Sequence, residues 1–159
     1  MLALSEFCGA INRSGLRRIR YVPINFVNPQ TWDFAINTQG LRLSGPDITT
    51  GDWLTLYADP RSQSFQQNSD DDGHGGYYSP QLDFTVPSLR QEAERVLHNM
   101  RAYRYIVEYT DAQGRRWLAG NPWHGLEFQY NSDNPQTGGL AAYKCSFRGD
   151  VNEPVSGYI

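Results

Sequence analysis

Apolar and polar positions alternate most cleanly late in the segment 77–86, where Leu82, Phe84 and Val86 fall on one side and Gln81, Asp83 and Thr85 on the other. That period of two predicts a half-buried antiparallel strand. Pro87-Ser88 then opens a stretch of different period, with Leu89, Ala93, Val96, Leu97 and Met100 at spacings of three and four. Ser88 is placed to cap a helix, Gln91 follows three residues on, Glu92 and Glu94 sit early and Arg101 late, so a helix with one apolar stripe is predicted to lie against a sheet. Residues 103–109 read as a strand, Asp111-Ala-Gln-Gly as a turn, and 115–119 as the returning arm of a hairpin. A further strand pair is predicted over 124–130 and 140–148, the latter with Ala141, Tyr143, Cys145 and Phe147 on one face.

The first half is less regular. Residues 16–27 are rich in β-branched and aromatic side chains, with Pro23 marking an edge or a bulge. Trp32, Phe34 and Ile36 alternate within 32–43, and 48–57 follows the turn signal Ser44-Gly-Pro-Asp, so these two segments are expected to be antiparallel neighbours. A long loop or hairpin tip is expected over about 59–80, with the acidic run Asp70, Asp71, Asp72 and then Gly73, Gly75 and Gly76, and an extended arm over 151–159. The resulting fold class is mostly β (α+β): an antiparallel β-sandwich or small barrel with one helix packed on its side, in a single domain spanning 1–159.

Composition changes this picture in one respect. Of 159 residues, 39% are hydrophobic, 13% aromatic and only 19% charged, and Lys144 is the single lysine. A surface rich in Arg and aromatics and poor in Lys has the composition of a contacted surface, because guanidinium forks suit partly desolvated contacts. The long loop and both termini lack the period of core elements, and partner subunits are expected to pack them. A net charge of -3 argues against electrostatic coating of nucleic acid. Cys8 and Cys145 lie far apart without metal spacing and read as reduced core residues. No basic leader precedes the short apolar start and no apolar run has membrane-spanning length, so no signal peptide and no membrane are expected.

Candidate chemistry is sparse. Asn68 to Gly73 fits the first half of a calcium loop, but position twelve is Ser79 instead of a bidentate Glu, and a solvated or lumen-facing acidic tip is the better reading. His74, His98 and His124 have no metal-ligand spacing, so neither metal nor cofactor is expected, and without a nucleophile motif, P-loop or dinucleotide fingerprint no enzyme is expected either. Arg13, Arg17, Arg18 and Arg20 beside Tyr21, and Tyr103-Arg104-Tyr105, interleave aromatics with arginine, yet Arg104 points away from the two tyrosines in a strand. Trp32, Trp53, Trp117 and Trp123 are weighed as sugar-stacking faces against core residues.

The series formed by the 88–100 helix, Arg104-Tyr-Ile-Val-Glu-Tyr, Asp111-Ala-Gln-Gly-Arg-Arg-Trp-Leu-Ala-Gly-Asn, Gly138-Gly-Leu-Ala-Ala-Tyr-Lys-Cys-Ser-Phe-Arg-Gly and Glu153-Pro resembles structural proteins in the tail or neck module of tailed phages that infect Bacteroidetes. The start Cys8-Gly-Ala-Ile-Asn-Arg-Ser-Gly-Leu-Arg-Arg-Ile is similar to the same group, so the resemblance covers most of the chain outside the acidic loop. It implies a tail-tube-like or tail-completion-like subunit, assembled in the host cytoplasm into the virion as a ring of copies of itself, joined to other tail or neck proteins, with DNA passing through unbound. The candidate subunit contacts are Arg17, Arg18, Arg20, Arg61, Phe65, Tyr77, Tyr78, Pro154 and Tyr158. Asp70, Asp71 and Asp72 would then face the lumen or solvent. The alternative is a β module that binds carbohydrate or single-stranded nucleic acid through exposed Trp and Tyr.

Overall fold

In the computed structural model, described here for residues 15–33, 42–71, 73, 75–87, 91–133 and 141–158, the alternating segments become strands of one antiparallel sheet. They are β1 (Leu16–Pro23), β2 (Leu54–Leu56), β3 (Ser64–Asp71), β4 (Gly76–Pro87), β5 (Arg104–Asp111), β6 (Arg116–Ala119), β7 (Leu126–Asp133), β8 (Ala142–Arg148) and β9 (Ser156–Gly157), with helix α1 (Gln91–Met100) between β4 and β5. The main order is β2-β1-β5-β7-β8-β4-β3, and β6 and β9 extend it beside β5.

The sheet rolls because β5 changes partner along its length. Arg104 and Tyr105 pair with Glu127 and Leu126 of β7, whereas Val107 to Thr110 pair with Ala119 to Arg116 of β6. The two halves, β2-β1-β5-β6-β9 and β7-β8-β4-β3, therefore diverge from a short seam and turn their apolar faces toward each other. Phe65 of β3 stacks on Tyr109 of β5 with ring centroids 4.5 Å apart, although a flat sheet would hold these strands roughly 19 Å apart. The fold class read from the sequence is thus realised: mostly β with one helix, in the sandwich or small-barrel family of shapes.

Inside the roll, Ile19, Tyr21, Leu82, Phe84, Tyr105, Val107, Phe128, Tyr143, Cys145 and Phe147 form the main core. The period-two faces predicted for β4 and β8 are those that enter it. Helix α1 contributes Leu97 and Met100, and Tyr105 Oη donates to the Met100 carbonyl at 3.0 Å, fixing the helix end to β5. Val96, placed on the apolar stripe by its spacing, is 53% exposed because only the 93/97/100 edge of the helix meets the sheet. Ser88 and Leu89 lie outside the described residues. A second, smaller cluster of Val22, Val27, Trp32, Ile106 and Leu118 covers the outer face of β1, β5 and β6.

Three segment readings can now be placed. Of the two readings of 59–80, a long loop or a hairpin tip, the hairpin is the one realised: β3 and β4 pair continuously from Ser64↔Asp83 to Asp71↔Gly76, and the polar strand takes its order from β4 and not from burial. Trp32 sits at the end of a 3-10 turn, and β2 pairs with β1 through Ile19↔Leu56 to Tyr21↔Leu54; Phe34 and Ile36 lie outside the described residues. The 151–159 arm is folded onto its own domain as far as it is described. Val151 and Tyr78 exchange backbone hydrogen bonds at 2.8 Å, Val155 N–H donates to Gln67 Oε1 at 2.9 Å, and β9 pairs with β6.

Candidate assembly surface

The two terminal strands of the sheet are the natural place to look for a contact between copies, because an edge strand exposes a row of unpaired backbone groups. At one end lies β2, followed by Tyr57, which is 85% exposed, and carrying exposed Leu54. At the other lies β3, eight residues long, and among the described residues no backbone pairs with its outer edge. The strand reads Ser-Phe-Gln-Gln-Asn-Ser-Asp-Asp, with neither Lys nor Pro to block a second chain.

The acidic tip is exposed at Asp70 and Asp71; Asp72 and His74 lie outside the described residues. Tyr77 Oη donates to Asp70 Oδ2 at 3.2 Å, and the Gly73 N–H donates to Asp71 Oδ1 at 2.9 Å, so both carboxylates serve the turn. Asn68 and Asp70 lie on an extended strand and do not wrap a calcium loop. Among the described residues no three His, Cys, Asp or Glu side chains gather as a metal site.

The arginine cluster of β1 is divided. Arg17 is exposed at the register shift between Leu16 and Arg18. Arg20 turns to the covered face, where Nε and a terminal nitrogen both reach Glu108 Oε1, at 2.9 and 2.7 Å, while its guanidinium lies 5.0 Å from the Trp53 ring. Arg18 stands 3.8 Å from the same carboxylate. Glu108 is only 2% exposed, so this pairing is what permits a charge on the face that Val22, Val27, Trp32, Ile106 and Leu118 cover.

Several other candidate contacts are likewise taken up within the chain. Phe65 belongs to the closure of the roll, Tyr78 bridges to Val151, and Tyr158 is held beneath Arg116, whose guanidinium lies 4.7 Å above its ring. Burial, and then the charge of Glu108, push the Tyr158 phenol well above its ordinary value. Arg61 and Pro154 remain exposed. The free surface offered by the predicted set is therefore Arg17, Arg18, Arg61, Pro154 and the Asp70–Asp71 tip.

Residues suspected of other chemistry separate in the same way. Tyr105 is buried while Arg104 pairs with Glu127 at 2.6 Å on the exposed side, so the Tyr-Arg-Tyr run is no stacking platform. Cys145 is buried, and burial pushes its thiol up to about 12; Cys8 lies outside the described residues. His98 and His124 are exposed. Trp32 is buried and Trp53 and Trp117 are half-buried, whereas Trp123 is 52% exposed on a pinned loop. There, fully buried Asn121 accepts from the backbone N–H groups of Trp123 and His124 at 3.0 and 2.7 Å.

Sequence reasoning missed two features. The β3 edge has one apolar residue in eight and gives no periodic signal. Arg42, 1% exposed, stacks 3.6 Å over Trp32, and burial lowers its pKa against the opposing pull of Glu153; nothing in its local sequence marks it as buried. No protein-family model, curated protein or solved structure matches the chain.

Proposed function

We propose that this chain is a non-enzymatic virion structural protein, a ring-forming subunit of a phage tail, tube-like, or of its neck, lining a conduit through which DNA passes unbound. The observation that carries the reading is the open outer edge of β3, long enough to pair with the sheet of a neighbouring copy, without Lys or Pro along it and with its charges confined to Asp70 and Asp71 at the tip. In a head-to-tail ring the surface used on one copy differs from the surface it meets on the next. The apolar β2 end, with Leu54 and Tyr57, is suited to be that second surface. Exposed Asp70 and Asp71 at the hairpin tip would repel a phosphate backbone and let it slide.

A second reading, a glycan-binding or single-strand-binding β module, is favoured by the fixed and exposed Trp123. The two readings separate experimentally. Light scattering and electron microscopy of the purified protein are expected to give closed rings, and labelled copies are expected in the tail or neck of particles, with no signal on a glycan array or in an oligonucleotide shift. A protein that stays monomeric when concentrated and is absent from particles would overturn the structural reading, and a glycan signal lost in Trp123→Ala would establish the second.

A further inference from the structure

Along the main sheet order every pairing from β2 to β3 is antiparallel, and six of them separate the two edge strands. An even number restores the starting direction, so β2 and β3 run the same way along the sheet. The edges of neighbouring copies can therefore be joined in two distinct ways. A parallel join keeps every copy facing the same way, as rotation about a single axis requires. An antiparallel join turns each copy over relative to the last, and its repetition builds an open, alternating filament instead of a closed ring.

The charges at the two edges make the same choice. Exposed Arg61 precedes β3, which ends in exposed Asp70 and Asp71. Exposed Asp52 precedes β2, and the far end of β2 lies against the start of β1: with Ile19 opposite Leu56, Arg18 falls beside Tyr57 and exposed Arg17 one residue further on. The sign thus runs from positive to negative along β3 and from negative to positive along β2. Laid parallel, each end meets the opposite charge. Laid antiparallel, Asp71 would face Asp52 and Arg61 would face Arg17, and like charges set against each other oppose docking. Among the described residues Arg17, Asp52 and Arg61 make no ion pair, whereas Arg18 already stands beside Glu108.

Resting on the ring reading above, we propose that β3 of one copy joins β2 of the next in parallel, with Asp71 against the neighbour's Arg17, so that all the hairpin tips gather on one rim. The added strand would lie two strand spacings from β1, roughly 10 Å, a gap that the two side chains bridge between them. Leu54 to Leu56 offer a short backbone pairing, and exposed Leu54 and Tyr57 add apolar contact. Successive strand residues point to opposite faces, so Asp70, held by Tyr77, stays clear of this contact and remains available to the conduit. The backbone bonds supply attachment, and the charges set its direction.

The test mixes full-length chains that each carry one added cysteine in a Cys8→Ser background, one chain of each mixture bearing a size tag, and joins them with a short bis-maleimide. Cys145 is buried and stays unreactive. Tyr57→Cys is expected to link to Ser69→Cys and not to Ser64→Cys, two positions roughly 17 Å apart along β3. Arg17→Glu is expected to cut the yield of the first link about tenfold, and added salt to cut it as well. A link to Ser64→Cys instead, closed rings that give neither link, or a first link indifferent to both Arg17→Glu and salt would overturn the parallel join while leaving the ring reading standing. Chains that stay monomeric by light scattering when concentrated would overturn both.

Discussion

Asp111 shows how one side chain decides a turn. Burial alone would raise its pKa, but the Trp117 indole, the backbone N–H of Arg115, the Arg115 guanidinium and the backbone N–H of Gln113 outweigh it and hold the carboxyl below its ordinary range. A group depressed in the folded state contributes stability above its unfolded pKa, and that contribution is lost as pH falls through the lower folded value. Asp111→Asn is therefore expected to cost about 1 kcal/mol at neutral pH, the scale of charge-assisted hydrogen bonds on a partly solvated group. The gap from the parent chain should begin to narrow as pH falls below about 4, the ordinary carboxyl value, and close only once pH is below the lower folded value. Urea unfolding of both chains across that range checks it, and a gap independent of pH would show that shape and not charge matters here. Glu108 answers the same need differently, by burying its charge against Arg20 where no turn is available to supply N–H donors.

Between residues and fold stands the corner where β5 exchanges β7 for β6. The chain links those two strands through residues 120–125, and the corner closes only because two of them lack side chains. Gly120 has φ +85°, a left-handed conformation that glycine adopts freely, and a Cβ there would lie 3.1 Å from the Tyr105 carbonyl oxygen. At Gly125 an added Cβ would stand 2.6 Å from Ile24 Cγ2 and 2.8 Å from Arg104 Cβ. Neither is the far end of a flexible chain, so Gly125→Ala must shift backbone and is expected to cost about 1–3 kcal/mol. Denaturant unfolding measures that cost, and a neutral outcome would mean the corner is loosely packed. The sequence shows why some elements are legible and others are not. The strands 82–86 and 143–147 and the 111–115 hairpin turn announce themselves because one face is buried and the turn has local chemistry. β3 stays hidden because its order comes from backbone pairing with β4, which polar side chains satisfy equally well. The pairing of β2 with β1, and the burial of Arg42 and Phe65, depend on contacts distant in sequence that no local period records. The same limit applies to the contact surface: composition flagged Arg and aromatic residues as a class, but only the fold divides Arg17 and Arg61 from Arg20 and Tyr158.

At the scale of the molecule, the C-terminal arm settles how the roll is held shut. A terminal arm without core periodicity suits exchange between subunits, yet this one joins the two halves of its own sheet. Val151, 2% exposed, bonds to β4, while β9 pairs with β6, and Tyr158 bridges to Arg42 beneath Arg116. The arm thus ties β4 to β6, two strands that are not sheet neighbours, and acts beside the Phe65–Tyr109 stack and the Asp59 N–H bond to the Thr85 carbonyl. A chain ending at Asp150 is expected to lose about 3 kcal/mol or more, through a lost buried valine, a lost strand pairing and an uncovered tyrosine site. Because those contacts lie within one chain, the loss should be the same at every protein concentration. An arm exchanged between copies would instead tie the melting temperature of the full chain to its concentration by mass action. Thermal unfolding of both chains over a wide concentration range distinguishes the two. A concentration-independent loss would leave the β3 and β2 edges, and not the arm, as the elements available for the proposed contact between copies.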